Sequence, residues 1–352
     1  MKYKLIGIVL LLTLFSLQAQ SQQEDTIPKS FISKLGHLIN DLDTMYVSPN
    51  KYKFAFMLEN SSWYEHYRIK SYGDRTQSLS IAPQISYKLG AYIGWKWIFL
   101  GWSIDLRNLF SKEKVSDKKT EFELSLYSSI VSGDVYYRKS GSNFKIRSTS
   151  GIFSKDNSPD YNRKFDGFSV EIKGLNAYWV INHKKFSYPA AYSQSTNQRK
   201  SAGSMIAGFS FSQHDIRFDP EKLPAPILDN LDTSLMFRRI KYTDYSLSFG
   251  YAYNWVFARN CLFSVSMTPA IAYKHSTVDD RNHNPALKNI NFDLVSRAGL
   301  VYNNTKYFIG TSVVIHTYDY HSSRFNLNNS FGTIRFYAGF NFLKKKKVKQ
   351  EE

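Results

Sequence analysis

Tyr245-Ser246-Leu247-Ser248-Phe249-Gly250-Tyr251-Ala252-Tyr253-Asn254-Trp255-Val256-Phe257 carries an aromatic or aliphatic side chain at every odd position, and from Ser246 to Asn254 a small or polar one at every even position. Successive side chains of a strand point to opposite faces, so one face is apolar and the other offers Ser, Gly, Ala and Asn. The stretch is longer than the roughly 9 to 11 residues that a tilted strand needs to cross a bilayer. An apolar face against lipid and a small, polar face against a lumen is the pattern of a transmembrane β-barrel strand.

The same alternation recurs in both directions. Phe263, Val265, Met267, Pro269, Ile271 and Tyr273 form the next stripe, and Ile290, Phe292, Leu294, Ala298, Leu300 and Tyr302 another. Further stripes run over 52–58, 79–89, 100–106, 122–130 and 331–342. Pro83 and Pro269 cannot donate a ladder hydrogen bond, so each is expected at a strand end or a bulge. A soluble sandwich also alternates, and connection lengths supply a second criterion, because bacterial barrels pair short periplasmic turns with long external loops. Long connections are expected at Ser111 to Thr120, Ser154 to Arg163, Asp215 to Tyr242, Val278 to Leu287 and Tyr320 to Leu327. Tight ones are expected near Lys96, at Ser132-Gly133-Asp134, at Arg259-Asn260 and at Asn303-Asn304-Thr305. Paired in this way, the segments give an all-β, antiparallel transmembrane β-barrel of about 12 strands, an even number within the bacterial range.

The start of the chain reads as a secretory signal peptide over 1–19: Lys2 and Lys4, an apolar run from Leu5 to Phe15, then Ala19 at the cleavage point. That run is too short to span a bilayer, and nothing after it offers the roughly 20 apolar residues of a transmembrane helix. The expected organisation is a periplasmic segment over 20–50, a barrel over 51–343 and a basic tail over 344–352. Aromatic residues make up 16% of the chain, with 25 Tyr and 26 Phe, a load that suits strands and interfacial girdles. A mean hydropathy of -0.38 excludes a helical membrane protein but not a barrel with a polar lumen. The formal charge is +17, and an exported protein meets anionic lipid, lipopolysaccharide and anionic solutes rather than nucleic acid. The lone Cys261 has no intramolecular disulfide partner and reads as a small packed residue. The terminal Phe340-Asn341-Phe342 is similar to the aromatic ending that outer-membrane barrels present to the barrel-assembly machinery.

One connection breaks the rhythm. His183 to Gly203 occupies the place of a tight turn yet spans about twenty residues, and long loops in compact domains are commonly functional. It mixes Phe186, Tyr188 and Tyr192 with Lys184, Lys185, Arg199 and Lys200. The runs Asn176-Ala177-Tyr178-Trp179-Val180-Ile181-Asn182, Lys185-Phe186-Ser187-Tyr188-Pro189-Ala190-Ala191 and Gln198-Arg199-Lys200-Ser201-Ala202-Gly203-Ser204 resemble the signature of an uncharacterised family of Bacteroidetes outer-membrane proteins. The opening Asp43-Thr44-Met45-Tyr46-Val47 is similar to that family's start. The resemblance implies a fold and a location and brings no catalytic residues, since the family is a domain of unknown function.

Chemistry-bearing motifs are weak elsewhere. A hydrolase requires a His within reach of its nucleophile and a group orienting that His; His275-Ser276 and His321-Ser322 lie in or beside expected external loops, and neither carries a surrounding hydrolase motif. His214-Asp215 and the Asp279, Asp280, His283 cluster match no established metal spacing, and no cofactor motif is present. The sequence therefore points to a non-enzymatic outer-membrane barrel, porin-like, serving as a narrow pore or small-ligand binder partly filled by residues 183–203. Lys185, Phe186, Tyr188, Arg199 and Lys200 are its lumen and ligand candidates, with the three cations facing the lumen and favouring an anionic small solute. A structural or interaction protein of the envelope contacting lipopolysaccharide or partner proteins is the alternative, and a lipid-acting enzyme is the third reading.

Overall fold

The computed structural model describes residues 42–72, 76–95, 98–106, 120–140, 143–153, 162–276 and 290–345. The signal peptide, the segment 20–41 and all of the basic tail beyond Lys345 lie outside them, as do most of three expected external loops, at 107–119, 154–161 and 277–289.

In chain order the strands are β1 (Val47–Pro49), β2 (Tyr52–Ser71), β3 (Ser78–Pro83), β4 (Ser86–Trp95), β5 (Ile98–Asp105), β6 (Thr120–Tyr127), β7 (Val131–Ser140), β8 (Phe144–Ser150), β9 (Arg163–Phe165), β10 (Phe168–Val180), β11 (Thr196–Gln198), β12 (Ala202–Phe218), β13 (Arg239–Ala258), β14 (Cys261–Ser276), β15 (Ile290–Asn303), β16 (Tyr307–His321) and β17 (Phe325–Lys344). Short helices α1 (Tyr188–Tyr192) and α2 (Ala225–Leu228) interrupt them. Twelve strands follow one antiparallel path, β5-β4-β2-β17-β16-β15-β14-β13-β12-β10-β7-β6, in agreement with the expected number. β3, β8 and β9 branch from the far end of β2, and β1 pairs only with β11. β5 and β6 end the path, each with one ladder partner among the described residues, so no ladder closes the sheet. The sheet nonetheless curls into a barrel. Arg138 on β7 reaches Glu65 on β2 at 3.1 Å, and the Tyr136 hydroxyl on β7 meets that of Tyr318 on β16 at 2.9 Å, contacts that a flat sheet would forbid.

The decisive stretch behaves as its alternation requires. Along β13, Tyr245, Leu247, Phe249, Tyr251, Tyr253 and Trp255 are exposed on the outer face, while Asp244, Ser246, Ser248, Ala252 and Asn254 are buried inside. Outward Trp102 and Phe292 are 81% and 69% exposed, values that suit lipid rather than water as the neighbour. The stripe from Tyr245 to Phe257 runs about 40 Å at ~3.3 Å per residue, which a tilt of about 45° projects onto about 28 Å, close to the hydrocarbon thickness.

Four details differ from the sequence reading. The stripe over 79–89 is two strands, because β3 ends at Pro83 and β4 begins at Ser86. The turn between β6 and β7 is Ser128-Ser129-Ile130, where the Ser128 hydroxyl donates to Val131 O at 2.6 Å, and residues 132–134 belong to β7. β16 and β17 are joined by Ser322, Ser323 and Arg324 alone, so Tyr320 to Leu327 is no long loop; the Ser322 hydroxyl closes the turn by donating to Phe325 O at 2.9 Å. Pro269 lies inside β14, where pairing with β13 lapses between Ser248↔Ala270 and Tyr251↔Met267 without a change of register. Gly250 sits opposite that lapse, and a Cβ there would collide with Met267 O.

The barrel has a turn end, marked by Arg259-Asn260 and Asn304–Lys306, and an opposite loop end. Asn260 takes φ 65, and Asn303 and Asn304 accept backbone N–H groups of Thr305, Lys306 and Tyr307, which explains the Asn-rich turns. At the loop end a buried apolar cluster fills the bore: Ile69, Ile81, Phe144, Phe168, Ile216, Phe218, Phe237 and Phe325 join Ile227 and Leu235 of the β12–β13 connection. That connection covers only 219–238, since β12 and β13 extend beyond the expected strand length.

Candidate functional site

Residues 181–201 connect β10 to β12 at the turn end and fold back into the bore as a plug. Phe186 and Tyr188 are buried and pack edge to face at 5.1 Å, and with Val180, Ile206 and Ala252 they make an apolar cluster of the turn end. Pro189 is the second residue of α1, in the first turn, where its missing N–H costs nothing, and Ala190 and Ala191 are small enough to lie against β14 and β15.

Side-chain amides bolt the plug to the wall. Gln198 accepts the Ser187 N–H at 3.1 Å and donates to Lys185 O at 2.6 Å and Lys200 O at 2.9 Å. Asn254 of β13 donates to Gln198 and to Ser187 O, at 3.0 and 2.9 Å. The Tyr337 hydroxyl of β17 donates to Ala191 O at 3.1 Å and accepts from Gln194 at 2.9 Å, and Asn303 of β15 donates to Gln194 at 3.2 Å. Buried polar groups must find partners, and here backbone carbonyls of an irregular segment find them in amides.

The N-terminal motif completes the plug. β1 pairs Val47 with Gln198, Asp43 N donates to Lys184 O at 3.0 Å, and Arg199 N donates to Tyr46 O at 2.7 Å. Two stretches of the signature that lie far apart in sequence are therefore one unit. Phe186 and Tyr188 are buried against the inner wall. Lys185, Arg199 and Lys200 do not face the lumen: all three are exposed on the plug's outer surface, with the Lys185 and Lys200 ammonium groups 5.2 and 5.6 Å from the Tyr46 ring. The strand period decides this, since Gln198 faces in and Arg199 must face out. An unpaired cation in the packed interior would carry a large desolvation cost.

The turn end is strongly basic as a result. Lys184, Lys185, Arg199 and Lys200 lie on the plug, and Lys51, Lys53, Arg259, Lys306, Lys344 and Lys345 stand around it, all exposed. Asp43 is the one acidic residue among the described residues of 42–53, 181–203, 256–262, 303–307 and 341–345.

Above the plug the bore is crossed by buried ion pairs. Arg297 donates to Asp134 at 2.5 Å and lies 4.5 Å over the Tyr178 ring. Arg138 pairs with Glu65 and stacks on Trp63 and Phe331 at 4.1 and 4.8 Å, and Lys274 bridges Asp244 and Asp293, the latter at 3.0 Å. These are three cations against four carboxylates. A cavity of about 20 Å³ lined by Trp63, Asp134, Arg138 and His316 has room for about one water.

The Ser212 hydroxyl lies 2.9 Å from His214 Nε2, but both residues are buried on the inner face of β12, and His214 Nδ1 has no hydrogen-bond partner to orient the ring. Among the described residues no three His, Cys, Asp or Glu side chains gather to hold a metal; Asp279, Asp280 and His283 lie outside them. Cys261 begins β14 half-buried, with a free thiol.

No curated protein matches the chain. Among solved structures it is similar to the outer-membrane protease OmpT of Escherichia coli, at 8% identity and a TM-score of 0.36, covering 84% of this chain and 98% of that one. The Pseudomonas putida toluene transporter TodX matches at 8% identity and a TM-score of 0.21, over 83% of this chain and 91% of that one. A loop-deleted outer membrane protein of Vibrio cholerae also called OmpT matches at 5% and 0.24, over 81% and 99%. Likenesses this distant carry no argument about activity. A family match does bear on the chain: its residues 41–342, from the first residues of the plug through the last strand, match the domain of unknown function DUF4421, and the chain belongs to that family.

Proposed function

We propose that this protein is a sealed outer-membrane barrel acting as a structural or interaction element of the envelope, with its turn end in the periplasm and its cationic plug face turned toward an anionic partner. The outward apolar band supports the membrane placement, and the parity of short turns supports the orientation. The Bacteroidetes origin implied by the sequence motifs and export by the N-terminal signal belong to the same reading.

The observation that carries it is an occupied bore: plug, ion-paired layer and apolar cluster follow one another from end to end. A narrow pore needs a wetted path, and an anion-selective one needs uncompensated cations along it. Here the buried layer holds more carboxylates than cations, and the cations of the signature stand outside. Lys185, Arg199 and Lys200 thus remain the binding candidates, on a docking surface instead of a filter. A lipid-acting enzyme would carry its nucleophile toward lipid, whereas Ser212 and His214 point inward.

Purified protein in planar bilayers is expected to show no steady conductance, and photo-crosslinkers at the exposed neighbours Thr44 and Met45 in intact cells are expected to capture a periplasmic partner that is lost when Lys184, Lys185, Arg199 and Lys200 become Gln. Stable ohmic channels from the wild-type chain would defeat the sealed-barrel reading. Crosslinks insensitive to the four substitutions would defeat the charge-based one.

A further inference from the structure

The outer faces of β7, β10, β12 and β13 change chemistry abruptly at the loop end of the apolar band. On β13 the outward series passes from Phe249, Leu247 and Tyr245 to Thr243, Lys241 and Arg239. β12 passes from Phe209 and Phe211 to Gln213, Asp215 and Arg217, β10 from Leu175 to Lys173 and Glu171, and β7 from Val135 and Tyr137 to Lys139. The ladders align these residues across four strands. Lys139, Glu171, Asp215 and Lys241 share one row, Lys173 lies in the row nearer the band, and Arg217 faces Arg239 in the row beyond.

Part of this lattice neutralises itself. Arg239 grips Asp215 with two hydrogen bonds at 2.6 and 2.9 Å, and this pairing holds the Asp215 carboxyl below the usual carboxylate range. Lys139 lies 3.6 Å from Glu171. Lys173 and Lys241 are exposed and make no ion pair among the described residues, and Arg217 approaches Asp215 only at 3.7 Å. Two arginines directly opposite each other across a ladder repel. The Asp215 carboxylate lies against both, so one negative charge is shared by two guanidinium groups and the pair keeps a net positive charge for a further anion.

We infer that Lys173, Arg217 and Lys241 bind the phosphate groups of outer-leaflet lipid whose acyl chains lie along Leu175, Phe209, Leu247 and Phe249. Depth is the argument for a lipid source. Lys241 stands about 13 Å along the strand from Tyr245 at ~3.3 Å per residue, less when the tilt is included, so its ammonium reaches the headgroup layer while the apolar side chains below it, Leu247 70% exposed among them, remain in hydrocarbon. Lys173 and Arg217 stand one strand (about 4.8 Å) and four residues (about 13 Å) apart with Lys241 between their rows, so the three cations lie within about 14 Å, the span of one phosphorylated disaccharide. The inference rests on the membrane placement above, and is independent of whether the bore is sealed or the plug binds a partner.

The test is lipid binding by the full chain in detergent, read by native mass spectrometry and thermal unfolding. Bis-phosphorylated lipid A is expected to remain bound and to raise the Tm, and the K173Q/R217Q/K241Q variant is expected to bind it on the order of a hundredfold more weakly, at about fivefold per cation. K173Q alone should lose about fivefold, which keeps the test open if the triple variant folds poorly. Equal binding of enzymatically dephosphorylated lipid A, or full binding by the variants, would overturn the inference, as would inorganic phosphate binding as tightly as the lipid. Recovery of the protein as a soluble species without detergent would instead sink the membrane placement itself.

Discussion

At the scale of single residues, the plug depends on amides that carry no charge. Gln198 makes four hydrogen bonds in a site 3% exposed, so Gln198→Ala leaves several buried groups without partners at about 1–3 kcal/mol each. The variant is expected to lose several degrees in the Tm for plug release while the barrel keeps its heat-modifiable migration; an unchanged Tm would show that the amide bolts are dispensable. In the bore, Arg297→Met strands the Asp134 carboxylate, at a cost of about 3–5 kcal/mol, and R297M with D134L should recover most of it. Denaturant midpoints of the single and double variants decide the matter, and a double variant as unstable as the single would contradict it. The sequence drew attention to the lysines and arginine of Gln198-Arg199-Lys200 because charge is conspicuous. Nothing local distinguishes Gln198 from any loop glutamine, since its partners Ser187, Lys185 and Asn254 are assembled by the fold.

At the scale of elements, the ladder between β13 and β14 tolerates Pro269 because Gly250 allows the backbones to approach. Gly250→Val would force a side chain into Met267 O and split the pair where it already lacks bonds. Refolding yield into detergent is expected to fall severalfold, and a wild-type yield would refute this account of the lapse. The closing strand makes a second prediction. Phe340 and Phe342 of β17 stack on Phe56 and Phe54 of β2 at 5.6 and 5.7 Å, so the terminal aromatics hold the first and last strands together. Phe340→Ser with Phe342→Ser is expected to lower the outer-membrane level of the protein in fractionated cells, through lost pairing and poorer handling by the assembly machinery; undiminished levels would argue against both. The strands β13, β14 and β15 were legible from their period-2 stripes, whereas the stripe over 79–89 concealed the break between β3 and β4. Turn positions were not legible, because Ser128, Ser132 and Ser322 look alike until the hydrogen bonds of Ser128 and Ser322 close turns and Ser132 falls inside β7.

At the scale of the molecule, plug and N-terminus form one unit, so deleting residues 42–50 should open the plug without unfolding the barrel. Lys185, Arg199 and Lys200 are then expected to become rapid trypsin sites while β12 to β17 stay protected; resistance equal to wild type would mean that α1 and the amide bolts suffice. The sequence by itself determined the barrel, its approximate strand number and its outward apolar side chains, because alternation is a local property read two residues at a time and connection lengths are read along the chain. It also marked the plug as exceptional through its length. Only the tertiary structure decided that the bore is filled, that Asp43 to Pro49 joins the plug, and that its cations face out. Those outcomes depend on which strands face one another across the barrel and on where a buried charge can find an opposite one, and neither is encoded in any single stretch of chain.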